Sequence, residues 1–191
     1  MKRPIEAELL SGSELYREVI LEKLVHARES AWIATANLKD MHVEGESIVK
    51  VFAQLAARGV DLRVLHAELP SRPFRASFEK RRKLQQSMEL KICPRVHFKA
   101  VLIDAAWVYL GSANVTGAGL GAKAESKRNF ELGFVTEDFD TVDRAKALFE
   151  AVWTGAECAA CRLRRVCPDP IGPSPARRGL VRLGHARRFG R

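Results

Sequence analysis

The chain has 191 residues, 47% hydrophobic and 29% charged, with a formal net charge of +9. That length fits one domain with a sizeable core plus a tail. There is no run of about eighteen apolar residues, and the start, Met1 to Glu6, lacks the apolar segment of a secretory signal, so the sequence reads as soluble and cytoplasmic with no transmembrane segment. The charge is uneven: Arg162 to Arg191 holds nine arginines and one acid, Asp169, leaving 23 basic against 22 acidic residues before it. A nearly neutral body with a basic tail suits a phosphate polymer or an anionic membrane surface, unless the tail is a solvated end without a specific partner.

In chain order, Ser11 and Glu14 stand at capping-box spacing and open a helix to about Arg28, with Leu15, Val19, Leu21 or Glu22, and Val25 as its apolar stripe. Ala31 to Leu38 is apolar and β-branched enough for a buried strand. A second helix from about Ser47 to Ala56 is stopped by Gly59, and Val60 to Leu65 is a further strand. Helix then strand, twice over, argues an α/β sheet with parallel neighbours. Residues 70 to 88 break the rhythm with Pro70, Pro73 and the basic run Lys80, Arg81, Arg82, Lys83, which is either a substrate contact or a solvated face. Met88 to Ile92 is a short strand. His97 to Ile103 and Trp107 to Leu110 are two more, joined by a tight turn at Asp104 to Ala106. After a small-residue loop, Gly117 to Lys127, come a strand from Asn129 to Val135 and a helix from Phe139 to Trp153. That helix is capped by Asp140 or Thr141, with Val142, Ala145, Leu148 and Phe149 inward. Pro168 to Pro175 is a linker. No internal repeat is visible.

The chemistry concentrates in Val96-His97-Phe98-Lys99-Ala100-Val101-Leu102-Ile103-Asp104, followed by Gly111-Ser112-Ala113-Asn114. On a strand, His97 and Lys99 share one face and Phe98 takes the other. An imidazole can attack phosphorus or carry a proton, an ammonium binds a phosphoryl oxygen, and Ser112 and Asn114 add hydroxyl and amide donors. His-x-Lys-x4-Asp alone also fits a structural histidine and a solvated lysine; the trailing Gly-Ser-x-Asn after a second strand is what makes the pattern specific.

This pattern resembles the signature of the phospholipase D superfamily, and the resemblance spans about residues 13 to 153. It implies a phospholipase D-like α-β-α sandwich with a mixed, largely parallel sheet over residues 1–157, followed by a Cys-rich, basic extension over 158–191. The superfamily's chemistry uses two motifs and this chain carries one, so the resemblance implies a homodimer with the motifs meeting across a twofold axis. It implies a phosphohistidine intermediate on His97, hydrolysed by water that the partner's His97 activates, with Lys99, Asn114 and Ser112 stabilising negative oxygens and no metal required. Glu131 is the candidate for fixing the His97 tautomer, by analogy with the acidic residue after Gly-Ser-x-Asn in family members, although the intervening loop is long. Asp104 belongs to the motif but alternates away from His97 and Lys99, so it supports the turn or pairs with a base. His26, His42, His66 and His185 have no ligand-like spacing.

Cys158-x2-Cys161-x5-Cys167 follows the last helix and Cys93 precedes His97 by four residues, about 13 Å along a strand. In a cytoplasmic protein this spacing reads as metal binding rather than disulfides. It resembles the iron-staple pattern that holds a [4Fe-4S] cluster in RecB-like nucleases, which have a different fold, so only the ligand spacing carries over. Zinc is the alternative, although zinc ribbons usually offer a second Cys-x2-Cys knuckle, and free or partly structural thiols are the remaining reading. The leading functional reading is a nuclease, because small single-motif members of the superfamily are commonly nucleases, with DNA ahead of RNA and a larger defence or repair complex open. Phospholipid processing, or a nucleic-acid-binding subunit with a vestigial site, are the alternatives.

Overall fold

Residues 3–170 are described in the structure, a computed structural model. In chain order the elements begin with β1 (Glu8–Ser11), then α1 (Ser13–Leu15), which continues as a π-helix over Tyr16–Leu24. They continue with β2 (Ser30–Thr35), β3 (His42–Val43), β4 (Glu46–Ser47), α2 (Ile48–Ala57) and β5 (Asp61–His66). Then follow α3 (Arg72–Glu79), α4 (Arg82–Ser87), β6 (Met88–Ile92), β7 (Lys99–Ile103), β8 (Trp107–Gly111), β9 (Leu132–Thr136) and α5 (Phe139–Trp153).

Seven strands form one sheet in the order β1-β9-β8-β7-β2-β5-β6, while β3 and β4 make a separate two-stranded ribbon. The two helix-then-strand units do place β2, β5 and β6 in parallel. The other four pairings are antiparallel, so the sheet is mixed but not largely parallel as expected. The reason lies in the connections: a tight turn joins β7 to β8, and so short a link can only reverse the chain. That turn has Asp104 and Ala105 both at positive φ, 54° and 52°, which gives it the twist that two paired strands require.

Every residue of the central strand β7 is buried, because helices cover both faces of the sheet. On one face, Ile33, Val64, Val101 and Tyr109 pack with the π-helix and α2 to α4. On the other, Trp32, Ala100, Leu102 and Val108 pack under α5. Trp32 stacks on Phe149 at 5.3 Å and Phe149 on Trp153 at 5.5 Å, pinning α5 to the sheet.

Several local expectations shift. In the first helix Ile20 and Leu24 are fully buried and Leu21 and Val25 only partly so, because π-helical i→i+5 bonding rotates the apolar stripe. The α5 cap is Asp138, accepting from Thr141 N–H at 2.9 Å, rather than Asp140 or Thr141. Leu148 is 51% exposed instead of inward-facing. Residues 70 to 88 contain two short helices, α3 capped by the Ser71 hydroxyl.

Candidate active site

One end of the sheet gathers the motif. Lys99, the first residue of β7, pairs with Gly111 at the end of β8, and Gly111 pairs with Gly133 at the start of β9. Ala34, next to the last residue of β2, pairs with Ala100, which brings Thr35 to the same row. Two glycines lie together there because the Tyr109 ring fills the space beneath them. A Cβ on Gly133 would stand 2.3 Å from Tyr109 Cε2, and one on Gly111 2.3 Å from Tyr109 Oη. Burial pushes the Tyr109 phenol up to about 12, and its oxygen accepts the Ala113 N–H at 3.3 Å.

Lys99 is 8% exposed. Its Nζ donates to the His97 carbonyl at 2.7 Å, and no carboxylate pairs with it among the described residues. A buried ammonium normally has a counter-charge, and here its one described partner is a carbonyl oxygen, which leaves two of its three protons without a hydrogen-bond acceptor among the described residues. His97 is exposed beside it, just before β7 rather than within it, and its ring has no partner among the described residues. The strand alternation still holds locally, since Phe98 packs with the α5 face.

Asn114 is tied down at its oxygen. Oδ1 accepts Ala36 N–H at 3.1 Å and Asn37 N–H at 3.2 Å, and lies 3.1 Å from Thr35 Oγ1. Thr35 in turn accepts Val115 N–H at 3.0 Å, so the loop after β8 is laced to the end of β2. The Asn114 carboxamide therefore has only its Nδ2 hydrogens left to offer a ligand.

Ser112 and Glu131 work as a pair. The Ser112 hydroxyl donates to Glu131 Oε2 in a short hydrogen bond and accepts Leu132 N–H at 3.1 Å, while Asn129 Nδ2 donates to Glu131 Oε1 at 3.1 Å. The anticipated Glu131 bond to the His97 ring is not made within one chain; both carboxylate oxygens are already used. Thr35 and Tyr109, absent from the sequence reading, are supports, and the glycine inside β9 was the available hint of a close backbone approach.

Asp104 lies at the opposite end of β7. It accepts Arg28 N–H at 3.1 Å, Glu29 N–H at 2.8 Å and Ser30 N–H at 2.9 Å, so it is a structural anchor and not a catalytic residue. Of the 80 to 83 cluster, Arg81 turns onto the Ser77 carbonyl at 2.7 Å, and Lys80, Arg82 and Lys83 are exposed. No hydrogen bond or ion pair connects any of the four to His97, Lys99, Ser112 or Asn114 among the described residues. His66 is buried with its Nδ1 2.6 Å from the Glu68 carbonyl, and desolvation holds it below the usual histidine range.

All four cysteines line one cavity, although Cys93 and His97 are separated by a tight turn, Val96 N–H to Cys93 carbonyl at 2.9 Å, rather than by strand. The Leu163 main chain and the Arg95 guanidinium hold the Cys161 thiol below its ordinary value, whereas burial pushes Cys167 up. Among the described residues no group of three or more His, Cys, Asp and Glu is gathered to hold a single metal ion. The basic tail beyond residue 170, with His185, lies outside the described residues.

A seven-stranded mixed sheet with helices on both faces carries His97, Lys99 and Asn114 at one end, the arrangement of a phospholipase D-like fold. The family model for "Cardiolipin synthase, PLD-like domain" matches residues 20–153, and the chain belongs to that PLD-like family. Among solved structures it is similar to Nuc, a phospholipase D family member from Salmonella typhimurium, with a TM-score of 0.56 and 19% identity over 78% of this chain and 95% of that one. NucT from Helicobacter pylori gives 0.53 and 18% over 77% and 94%. TrmBL2, an archaeal chromatin protein with a described mode of DNA binding, gives 0.52 and 17% over 80% and 54%. No curated protein sequence matches.

Proposed function

We propose that the protein is a nuclease, a metal-independent phosphodiesterase whose site is shared by two copies of the chain, acting on DNA in preference to RNA. A ring nitrogen of His97 attacks phosphorus and the bond to the leaving oxygen breaks, while His97 of the second copy gives that oxygen its proton. Water then attacks the phosphohistidine, loses a proton to the same second imidazole, and His97 leaves. Lys99 and the Asn114 amide stabilise the phosphoryl oxygens as charge builds on them, and Ser112 steadies Glu131 at the rim.

The observation that carries this reading is the buried Lys99 ammonium without an acidic partner, beside an exposed, unengaged imidazole. The second copy is supported by exposed apolar residues at the same rim: Phe130 is fully exposed and Leu132 half-exposed, on either side of Glu131. A nucleic-acid substrate is supported by the arginine-rich sequence after residue 161 and by the likeness to TrmBL2, an archaeal chromatin protein that binds DNA. A phospholipid phosphodiester is the second reading, favoured by the description of the matching family model; no helix among the described residues is long and apolar enough to cross a membrane.

Purified protein incubated with plasmid and single-stranded oligonucleotides in EDTA tests the reading. Cleavage that persists in EDTA and disappears in His97→Ala is the expected result. Intact nucleic acid together with hydrolysis of anionic phospholipid vesicles would select the second reading.

A further inference from the structure

Away from the motif, the described chain holds one more concentration of reactive side chains. Cys93 and the C-terminal trio Cys158, Cys161 and Cys167 come from distant stretches, are free and half-buried, and line a single cavity of about 320 Å³. We propose that this cavity is a [4Fe-4S] site with those four thiolates as ligands, and that the cluster fixes the 93–98 segment from which His97 projects. The first half is independent of the nuclease reading; the second half rests on it.

Size decides between metals. At about 2.3 Å per Zn–S bond, a tetrahedral zinc draws its sulfurs to within roughly 4 Å of each other. All four cysteines line one cavity of about 320 Å³, far more room than a single four-coordinate ion fills. Phe98, Leu148 and Val152 give that space apolar walls, and this accounts for Leu148 being turned outward from the α5 core. Arg95 and Arg164 line the same cavity, so four thiolates there have cationic neighbours. Loading is a ligand exchange: four Fe–S bonds to the cysteine sulfurs form as the four bonds from the irons to the ligands of the delivering carrier break, the thiol protons pass to solvent or to those departing ligands, and nothing is oxidised or reduced at the site.

The link to the motif is a short piece of backbone. Cys93 N–H donates to the His66 carbonyl at 2.9 Å, and Cys93 accepts from Val96 N–H at 2.9 Å. Val96 and Phe98 face the cavity while His97 between them is exposed. The C-terminal segment is held to the same edge by Asp169, which accepts the Ile92 N–H at 3.4 Å. A ligand on Cys93 therefore restrains the turn that sets where the imidazole stands.

The test is metal analysis of the full chain purified without oxygen. About four irons and four sulfides per chain, with broad absorption at the blue end of the visible spectrum, is the expected result. Cys93→Ser and Cys161→Ser should each lower iron about fivefold or more. Wild-type iron and sulfide content does not depend on whether those variants fold. One zinc per chain, no metal, or iron unchanged by both substitutions would overturn the site. Hydrogen exchange before and after chelation tests the second half: faster exchange confined to 92–98 and 158–170 is expected, and unchanged exchange there would overturn it. None of these readouts uses cleavage, so a cluster in an inactive protein would count against the nuclease alone.

Discussion

Lys99 is the residue on which structure and function are in tension. A buried ammonium whose only partner is a carbonyl oxygen costs folding free energy, and the cost makes sense if a phosphoryl oxygen completes its shell. Lys99→Met should therefore lower turnover by about 10²–10³-fold while leaving the melting temperature equal or higher. Intact cleavage, or a large loss of stability, would contradict this. Asp104 is the opposite case. Removing its carboxylate leaves three main-chain N–H groups short of a partner, so Asp104→Ala should cost about 1–3 kcal/mol by urea titration and leave the turnover of folded protein unchanged. Both lysine and aspartate stand in one sequence motif, and strand alternation separates their faces. That they lie at opposite ends of the strand follows from the span from Lys99 to Asp104, which sequence alone makes readable. The lacing of Asn114 to Thr35 was not readable, because the partners lie on strands far apart in the chain and a threonine in an apolar run carries no mark of its role.

At the scale of elements, α5 shows how a cap can escape periodicity. Asp138 caps the helix and also binds Arg3, with the closer oxygen–nitrogen contact at 2.6 Å. The Arg3 hydrogen bond, helped by Thr141, holds the Asp138 carboxyl well below the usual range. The unfolded chain thus binds this proton more readily, so the contribution is complete above about pH 4 and is lost as pH falls further. Melting temperatures between about pH 3 and pH 6 should show a shallower acid decline in Asp138→Asn than in wild type. An identical decline in both would remove Asp138 from the account. The apolar runs of β2 and β7 were legible because buried strands need continuous hydrophobic sequence, and β5 was legible from Val60, Leu62, Val64 and Leu65 following the Gly59 helix stop. β1 was not: it is four residues long with one buried side chain, Leu10, and exists through its pairing with β9. Nor was the π-helix legible, since its stripe differs from an α-helical one by a single residue per turn.

For the whole molecule, a family match over residues 20–153 accounts for the fold and the motif but leaves the chain with one motif histidine where the proposed reaction uses two. On the proposed shared-site reading, the exposed Phe130 and Leu132 beside Glu131 are the surface that a second copy would cover. The measurement that bears on this most directly is capture of the reaction intermediate. A turnover mixture with phosphate-labelled oligonucleotide in EDTA is denatured within the first cycles, and the protein is examined for bound label. The account predicts an acid-labile, alkali-stable label on His97 that is missing from His97→Ala. Cleavage that leaves no label on the protein and stops when divalent ions are chelated would contradict it.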